Sequence, residues 1–256
     1  MVERLNSCKF NLQWVTKAGT DEKFGPFFEI IKRGDTAKVA EFMRASDSKQ
    51  LIQAVEKNSK KSCLHIASQE GNDRIVAYLI GKGAAVDARD RLLKTPLHMA
   101  CAAGHTAVTK ILLENNADAF EKDSSGRTAL HYAACSSAPE QLILLGNDPD
   151  LIHMKDHAGR TALHYAVFNE SQSSVKMVSQ LLHLGADVNS LDNDRRTALH
   201  HAAEEGKDKV IPVLLQAGAS TGTRDAFTRK TAFELAKNDR TRELMIVYSA
   251  PPYLPK

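Results

Sequence analysis

A six-residue pattern recurs along the chain and constrains the fold more than any other feature. It is a Thr or Ser, a small residue, a Leu, a His, a variable residue and an Ala, and its last copy is degenerate. Successive copies begin 33, 33, 33, 36 and 34 residues apart, at Ser62, Thr95, Thr128, Thr161, Thr197 and Thr231. A fixed period of roughly 20 to 50 residues is typical of solenoids. In these folds each unit buries its apolar face against its neighbours.

Each copy predicts a first helix, and the residues after it predict a second. Thr is a strong N-cap because its hydroxyl accepts a hydrogen bond from the first turn, and Pro96 fits the first helical position of its unit. Gly104 supplies the left-handed residue that ends such a helix. Val108 and Leu112 then lie on one face of a second helix, which Asn116 ends.

The 33-residue period and the sequence Thr-Pro-Leu-His-x-Ala at 95–100 resemble the ankyrin repeat family. The resemblance covers residues 27–248 and implies an all-α solenoid of about seven helix-turn-helix units with β-turn fingers. The units from Phe27 and from Thr231 are degenerate, as expected of caps whose outer face meets water. We therefore expect an N-terminal extension at 1–26, an ankyrin-repeat domain at 27–250 and a Pro-rich tail at 251–256.

Two units depart from the pattern. The unit that begins at Thr128 has Ser137 in place of the helix-ending Gly, which predicts a short second helix near 139–145 and a loop at 146–150. The next unit carries an insertion around 171–174. That insertion is either neutral loop variation or a contact for a partner.

Composition excludes several classes of protein. The chain has 34 Lys and Arg against 31 Asp and Glu, a net charge of +3 that is too balanced for nucleic-acid binding by bulk charge. It contains no apolar run of the roughly 18 residues that span a bilayer, and its first residues lack the apolar core of a signal peptide. The cysteines form no CxxC pair, so we expect unpaired, mostly buried thiols and an intracellular protein, cytoplasmic or nuclear. They are Cys8, Cys63, Cys101 and Cys135.

Catalytic chemistry is not expected. The sequence has no Gly-x-Ser-x-Gly elbow, no Walker lysine loop and no Gly-x-Gly-x-x-Gly, and its carboxylates are expected at scattered surface positions. The recurrent histidines lie one unit apart, about 10 Å, so they cannot converge on one metal ion. His200 and His201 are adjacent on a helix and point different ways. The resemblance implies that the recurrent His links neighbouring units by hydrogen bonds; we predict no metal and no cofactor.

The residue before each repeated motif is basic, which predicts a ladder along one edge of the stack. A functional ladder would favour a partner with acidic residues. The alternative is that Gly-Arg-Thr and Gly-Lys-Thr are common in the family and carry no function here. The basic ladder comprises Lys61, Lys94, Arg127, Arg160, Arg196 and Lys230.

Apolar residues in unusual places mark a second part of the expected binding surface. Some occupy the turns and others the inner helices, and exposed aromatics near Arg are typical of interface hot spots. The resemblance implies that fingers and concave inner helices bind the partner. The candidates besides the ladder are Leu92, Leu93, Tyr132, Tyr165, Phe168, Arg195 and Phe227.

Three further sequence features each suggest a modification site or a contact with a partner. The segment Asp187-Val188-Asn189 resembles the ankyrin segment that an oxygen-sensing dioxygenase hydroxylates on Asn; alternatively Asn189 only ties its loop. The tail contains a PxxP sequence that either serves an SH3-like reader or only ends the last helix. Trp14 and its apolar neighbours predict that the extension packs on the first unit or on a partner.

We therefore expect a non-catalytic scaffold, adaptor or inhibitor that binds a protein partner. Its fingers and inner helices would form the contact, and neither a small-molecule substrate nor membrane insertion is expected. The alternatives are a regulatory subunit of a larger enzyme or assembly and, less favoured, nucleic-acid binding through the basic ladder. Affinity that falls steeply with salt on DNA or RNA would indicate the latter.

Overall fold

The computed structural model describes residues 20–169 and 173–249, and over these residues the secondary structure is helical apart from two isolated β-bridges. The all-α prediction is confirmed. The N-terminal extension up to residue 19, with Trp14, the centre of the insertion at 170–172 and the tail from 250 lie outside the described residues. No helix of the described ranges is long and apolar enough to span a bilayer.

Fourteen of the sixteen described helices form seven consecutive pairs, which matches the predicted number of units. In chain order the helices are α1 (Thr20–Lys32) with α2 (Thr36–Ala45), a short α3 (Ser48–Gln53), α4 (Cys63–Gln69) with α5 (Asp73–Gly81), α6 (Pro96–Ala103) with α7 (Thr106–Glu114), α8 (Ala129–Cys135) with α9 (Glu140–Leu145), a short α10 (Pro149–His153), α11 (Ala162–Phe168) with α12 (Ser174–His183), α13 (Ala198–Glu205) with α14 (Ile211–Gln216), and α15 (Ala232–Leu235) with α16 (Asp239–Ser249).

Two boundaries differ from the sequence-based expectation. Helix α1 begins at Thr20, so it runs through the expected start of the repeat domain at residue 27. The loop expected at 146–150 is wrong in its second half, because Pro149 begins helix α10. Asp148 caps this helix by accepting from the N–H of Asp150 at 3.0 Å, and Pro149 fits the first helical position.

Five of the seven first helices, α4, α6, α8, α11 and α13, begin with a capping box made by the repeated Thr or Ser and the His. The backbone N–H of Thr128 donates to Nδ1 of His131 at 3.1 Å, and the Thr128 hydroxyl lies 2.9 Å from the same nitrogen. A backbone N–H can only donate, so Nδ1 of His131 is an acceptor and its proton resides on Nε2. In the last unit Glu234 replaces the His and accepts from the N–H of Thr231 at 2.7 Å.

The core is one continuous layer between the first and second helices of all units. The repeated Leu of each first helix is buried, as in Leu97, Leu130 and Leu163, and Leu112 and Leu181 of the second helices meet them. In all but the last pair of units, the first helices of successive units pack more extensively than the second helices. The small Ala of the repeated motif permits this close approach, and we call the first helices the inner helices.

A finger connects each unit to the next, and backbone hydrogen bonds join the fingers. The N–H of Ser124 donates to the carbonyl of Leu92 at 2.8 Å, and that of His157 donates to the carbonyl of Ser125 at 2.9 Å. The N–H of Asn193 continues the series on the next finger at 2.9 Å. The fingers therefore form one connected edge of the solenoid.

The finger turn requires a left-handed residue just before each basic residue. Gly126 and Gly159 fill this position with φ of 79° and 76°. Leu93 and Arg195 fill it in their own fingers with φ of 58°, a conformation that costs a residue with a Cβ roughly 1–2 kcal/mol. These two predicted binding residues therefore lie on strained backbone.

We expect Leu93→Gly to stabilise the protein by about 0.5–1 kcal/mol, because relief of left-handed strain outweighs the extra chain entropy of Gly in the unfolded state. Urea unfolding followed by circular dichroism measures this change. Leu92→Gly is the matched control, since Leu92 is also exposed but its φ is not positive. Equal effects of the two substitutions would contradict the strain.

Candidate functional site

In four of the six ladder residues the backbone carbonyl is fixed by the buried His of the preceding unit. His65 Nε2 donates to the carbonyl of Lys94 at 2.8 Å, and His98 Nε2 donates to that of Arg127 at 3.1 Å. The same bond joins His131 to Arg160 at 3.1 Å and His164 to Arg196 at 3.2 Å. His200 donates to Thr223 instead, at 3.0 Å. The expected linking role of the repeated His is confirmed.

Burial keeps these histidines neutral. It lowers the pKa of every repeated His, and it lowers the pKa of His131 and of His164 to about 4 despite the hydrogen bonds that their Nε2 atoms make. A neutral ring with its proton on Nε2 accepts at the helix start and donates to the next unit at once. Each His therefore joins a cap to a stacking contact.

The acidic residues at the base of the fingers are buried, so the expectation of scattered surface carboxylates is wrong for them. Asp123 accepts from the N–H groups of Ser125 at 2.8 Å and Arg127 at 2.9 Å, and also from the Tyr132 hydroxyl at 2.6 Å. Burial by itself would raise the pKa of Asp123, but hydrogen bonds from Tyr132 and Arg127 outweigh it and lower the pKa to about 2. The recurrence of an Asp at this position was the available signal. The buried acids are Asp90, Asp123, Asp192 and Asp225.

The predicted aromatic residues lie on the inner helices beside the ladder, half-buried. The Tyr132 ring meets His98 edge-on, with centroids 5.6 Å apart, and it carries two cations, Lys94 at 4.9 Å and Arg127 at 4.8 Å from its centroid. Tyr165 meets His131 edge-on in the same way, with centroids 5.5 Å apart, and its hydroxyl donates to Asp156 at 2.7 Å. These rings are both structural and accessible.

Phe168 and the finger tips hold the remaining predicted residues. The guanidinium of Arg160 lies 5.4 Å from the Phe168 centroid, and Phe168 packs on His201 with centroids 5.0 Å apart. Leu92 is 52% exposed and Phe227 is 76% exposed. Leu93, Arg195 and Lys230 are also exposed. The structure therefore groups the ladder and aromatics on one edge and places the exposed apolar side chains on the fingers.

One cluster was missed by sequence reasoning. His200 and His201 point different ways, as expected. However, His201 Nε2 donates to Asp192 at 2.8 Å, and the potential metal-ligand atoms of His164, Asp192 and His201 lie within 4.8 Å of one another. His164 accepts from the Thr161 N–H at 3.2 Å and donates to the Arg196 carbonyl at 3.2 Å. Because both of its ring nitrogens are used by the stack, a metal ion here would break a link between units.

Asn189 is exposed on the loop after α12 and joins two neighbouring loops. Its amide donates to the carbonyl of Gly218 at 3.1 Å and its oxygen accepts from the N–H of Ser220 at 2.7 Å. The loop-tying alternative therefore describes its contacts. Hydroxylation of Asn189 stays a prediction.

Comparison with known proteins agrees with this architecture. A family model described as ankyrin repeats, in three copies, matches residues 64–151 and 140–225. The chain belongs to the ankyrin repeat family. Ankyrin repeats are in general protein–protein interaction modules.

Among curated proteins, the chain is similar to Protein fem-1 homolog A of Rattus norvegicus and of Homo sapiens. Each is 42% identical over 62 residues, which is 24% of this chain and 9% of the relative. The matched segment therefore spans under a tenth of these relatives.

Solved structures resemble the chain over more of its length. The human ASB11 ankyrin repeat domain has a TM-score of 0.76 at 26% identity and covers 89% of this chain and 99% of its own. The ankyrin repeat domain of Bcl-3, described as a unique member of the IkappaB protein family, has a TM-score of 0.70 at 26% identity. It covers 86% of this chain and 97% of its own. EF0377, an ankyrin repeat protein, has a TM-score of 0.65 at 28% identity and covers 75% of this chain and 98% of its own.

We expect the protein to lose stability as the pH falls from about 6.5 towards 4. The folded-state pKa of His131 is about 4, below the unfolded value of about 6.5, so the unfolded state binds the proton first. His131→Gln keeps a side chain that can complete the capping box but cannot be protonated. The drop in unfolding free energy between about pH 7.5 and 5 should shrink by about 1–2 kcal/mol in this variant.

Urea unfolding at both pH values measures this slope. His183→Gln serves as the control, because His183 is exposed and bonds only within its own helix, to the carbonyl of Ser179. A His131→Gln protein that keeps the full wild-type pH dependence would contradict the buried, neutral state of the ring.

Proposed function

We propose that this protein is a non-catalytic, intracellular interaction scaffold, adaptor or inhibitor that binds a protein partner through its fingers and concave inner helices. The family to which it belongs supports a protein-binding role. The observation that carries the choice of surface is the edge where basic side chains lie on half-buried aromatic rings, as Lys94 and Arg127 do on Tyr132. Tyr and Arg are the side chains that dominate binding energy at protein interfaces.

Rigidity supports the same proposal. Two series of hydrogen bonds cross between units on this edge, one from the buried histidines and one between finger backbones. A preformed surface loses little conformational entropy when a partner binds. A partner therefore meets side chains already held in place.

Nucleic-acid binding through the whole ladder is less well supported. Arg127 forms an ion pair with buried Asp123 at 2.8 Å, and Arg196 forms one with Glu204 at 2.8 Å. Charges neutralised within the protein attract phosphates weakly. A role as regulatory subunit of a larger assembly is compatible with the same surface, and the identity of the partner decides it.

Site-specific photo-cross-linking tests the proposal. A photoreactive amino acid is placed at Leu92 on a finger or, as a matched control, at Ile143 on α9; these side chains are 52% and 51% exposed. We expect one specific protein to cross-link from position 92 and not from position 143, read by mass spectrometry in the native cell. Cross-linking from position 143 alone would contradict the surface, and no specific protein from either would contradict the function.

A further inference from the structure

Two basic residues of the ladder donate to a polar side chain eight positions later, on the inner helix of the same unit. Near the first end of the stack, Lys61 Nζ donates to Gln69 Oε1 at 2.6 Å. Near the other end, Arg196 Nη1 donates to Glu204 Oε2 at 2.8 Å. In these two units the chain itself supplies the polar group that receives the cation.

The three units between them lack such a group. The corresponding residues are Ala102, Cys135 and Phe168, none of which carries a carboxylate or an amide, and Ala102 and Cys135 are exposed. We call Lys94, Arg127 and Arg160, together with these three residues, the central basic strip. Its cations lie on aromatic rings instead, Lys94 and Arg127 on Tyr132 and Arg160 on Phe168. An aromatic ring orients a cation without neutralising its charge.

Two of the three cations have no carboxylate of their own in the part of the chain that the structure describes. Arg127 pairs with Asp123 of its finger. Asp156 accepts the same kinds of hydrogen bond as Asp123, from the N–H groups of Ala158 and Arg160 and from the Tyr165 hydroxyl, but no ion pair joins it to the Arg160 guanidinium in the described structure. The Nε atoms of Arg160 and Arg196 are both buried and donate no hydrogen bond to described protein atoms, so the two cations differ in the carboxylate that Arg196 meets and not in this atom.

We propose that the central basic strip binds an acidic, extended segment of the protein partner. The partner's carboxylates take the positions over Lys94 and Arg160 that Gln69 and Glu204 hold over the cations of the flanking units, and Arg127, which keeps its ion pair with Asp123, adds a weaker attraction between them. Neighbouring units are about 10 Å apart and an extended chain advances about 3.3 Å per residue, so acidic residues three apart match the strip. This inference rests on the proposed function and names the chemistry that its surface recognises.

A protein segment fits the strip better than a nucleic acid. The strip ends at Arg196, which donates a hydrogen bond to Glu204, and Glu205 adds a second exposed carboxylate beside it. A continuous phosphate backbone would be repelled there, whereas a short acidic segment ends before it. The net charge of +3 also gives little bulk attraction for nucleic acids.

The test supplies the missing acceptor from within the chain. Ala102→Glu places a carboxylate eight residues after Lys94, as Glu204 stands to Arg196, and removes no basic residue. The probe is a fluorescein-labelled peptide of Glu-Gly-Gly repeats, with Gln-Gly-Gly repeats for comparison, measured by fluorescence anisotropy. Loss of one charge-assisted contact predicts a dissociation constant about tenfold higher for Ala102→Glu. Ala107→Glu on α7 changes the net charge equally at an exposed site on the second helix and should bind almost like wild type.

Two further variants test the strip in opposite directions. Glu204→Gln removes the carboxylate over Arg196, which lengthens the strip by one unit, and should bind the Glu peptide several-fold more tightly. Arg160→Gln should weaken it about as much as Ala102→Glu does. Circular dichroism checks that each variant is folded, and if Ala102→Glu is not, Cys135→Glu makes the same test opposite Arg127.

Several results would overturn the inference. Wild type could bind the Glu and Gln peptides equally, or Ala107→Glu could weaken binding as much as Ala102→Glu, which would indicate bulk charge alone. Tighter, Ala102→Glu-sensitive binding of polyuridylate RNA would assign the strip to nucleic acid. If a partner cross-links from position 92 equally in wild type and Ala102→Glu, the partner does not bind through the central basic strip. That result would contradict this inference and still support the proposed function.

Discussion

The hydrogen bond from a buried, neutral His to the carbonyl at the base of the next finger holds this solenoid together. His131 shows both of its ends: Nδ1 accepts from the Thr128 N–H at 3.1 Å, and Nε2 donates to the Arg160 carbonyl at 3.1 Å. Because the ring proton resides on Nε2, the same His can accept a hydrogen bond at the start of its helix and donate one to the next unit. The same bond fixes the backbone of a basic ladder residue, so the proposed binding edge takes its geometry from the stack.

A finger Asp accompanies the buried His at each junction, and its carboxylate accepts hydrogen bonds from nearby backbone N–H groups. Asp123 receives two backbone N–H groups, a tyrosine hydroxyl and a guanidinium. Such a carboxylate stabilises a finger only because all its partners converge; an unpaired one would be costly to bury. The finger edge is thus rigid for electrostatic reasons, while the helix layer beneath it is held by apolar packing. Variation from unit to unit occurs mainly in which side chain each cation meets.

Much of the fold was predictable from the sequence because it is encoded locally. Thr95 as the residue that precedes its helix, Pro96 and the left-handed Gly104 at φ 78° all act within a few residues, and the structure places each as predicted. The Thr95 hydroxyl itself lies 2.9 Å from His98 Nδ1, so the predicted cap from the hydroxyl to the first turn is replaced there by a contact with the His ring. The short second helix of the Thr128 unit was also predictable from the missing Gly. Helix α10 was not, because the residues after Gly146 carry turn-forming types that also serve as a cap and a first helical turn.

The site was predictable in outline only. The ladder and its aromatic neighbours are visible as sequence positions, but the burial of Asp123, the grouping of His164 with Asp192 and His201, and the rings beneath the cations depend on units that meet in space. The repeat, the starts of the first helices that carry the repeated motif and the basic residues at the edge follow from spacing and local backbone chemistry, so the sequence alone predicts them. Only the tertiary structure decided which cations are neutralised, because Arg196 and Arg160 occupy equivalent positions and differ in the side chain that the inner helix brings beside them, a carboxylate for one and a ring for the other.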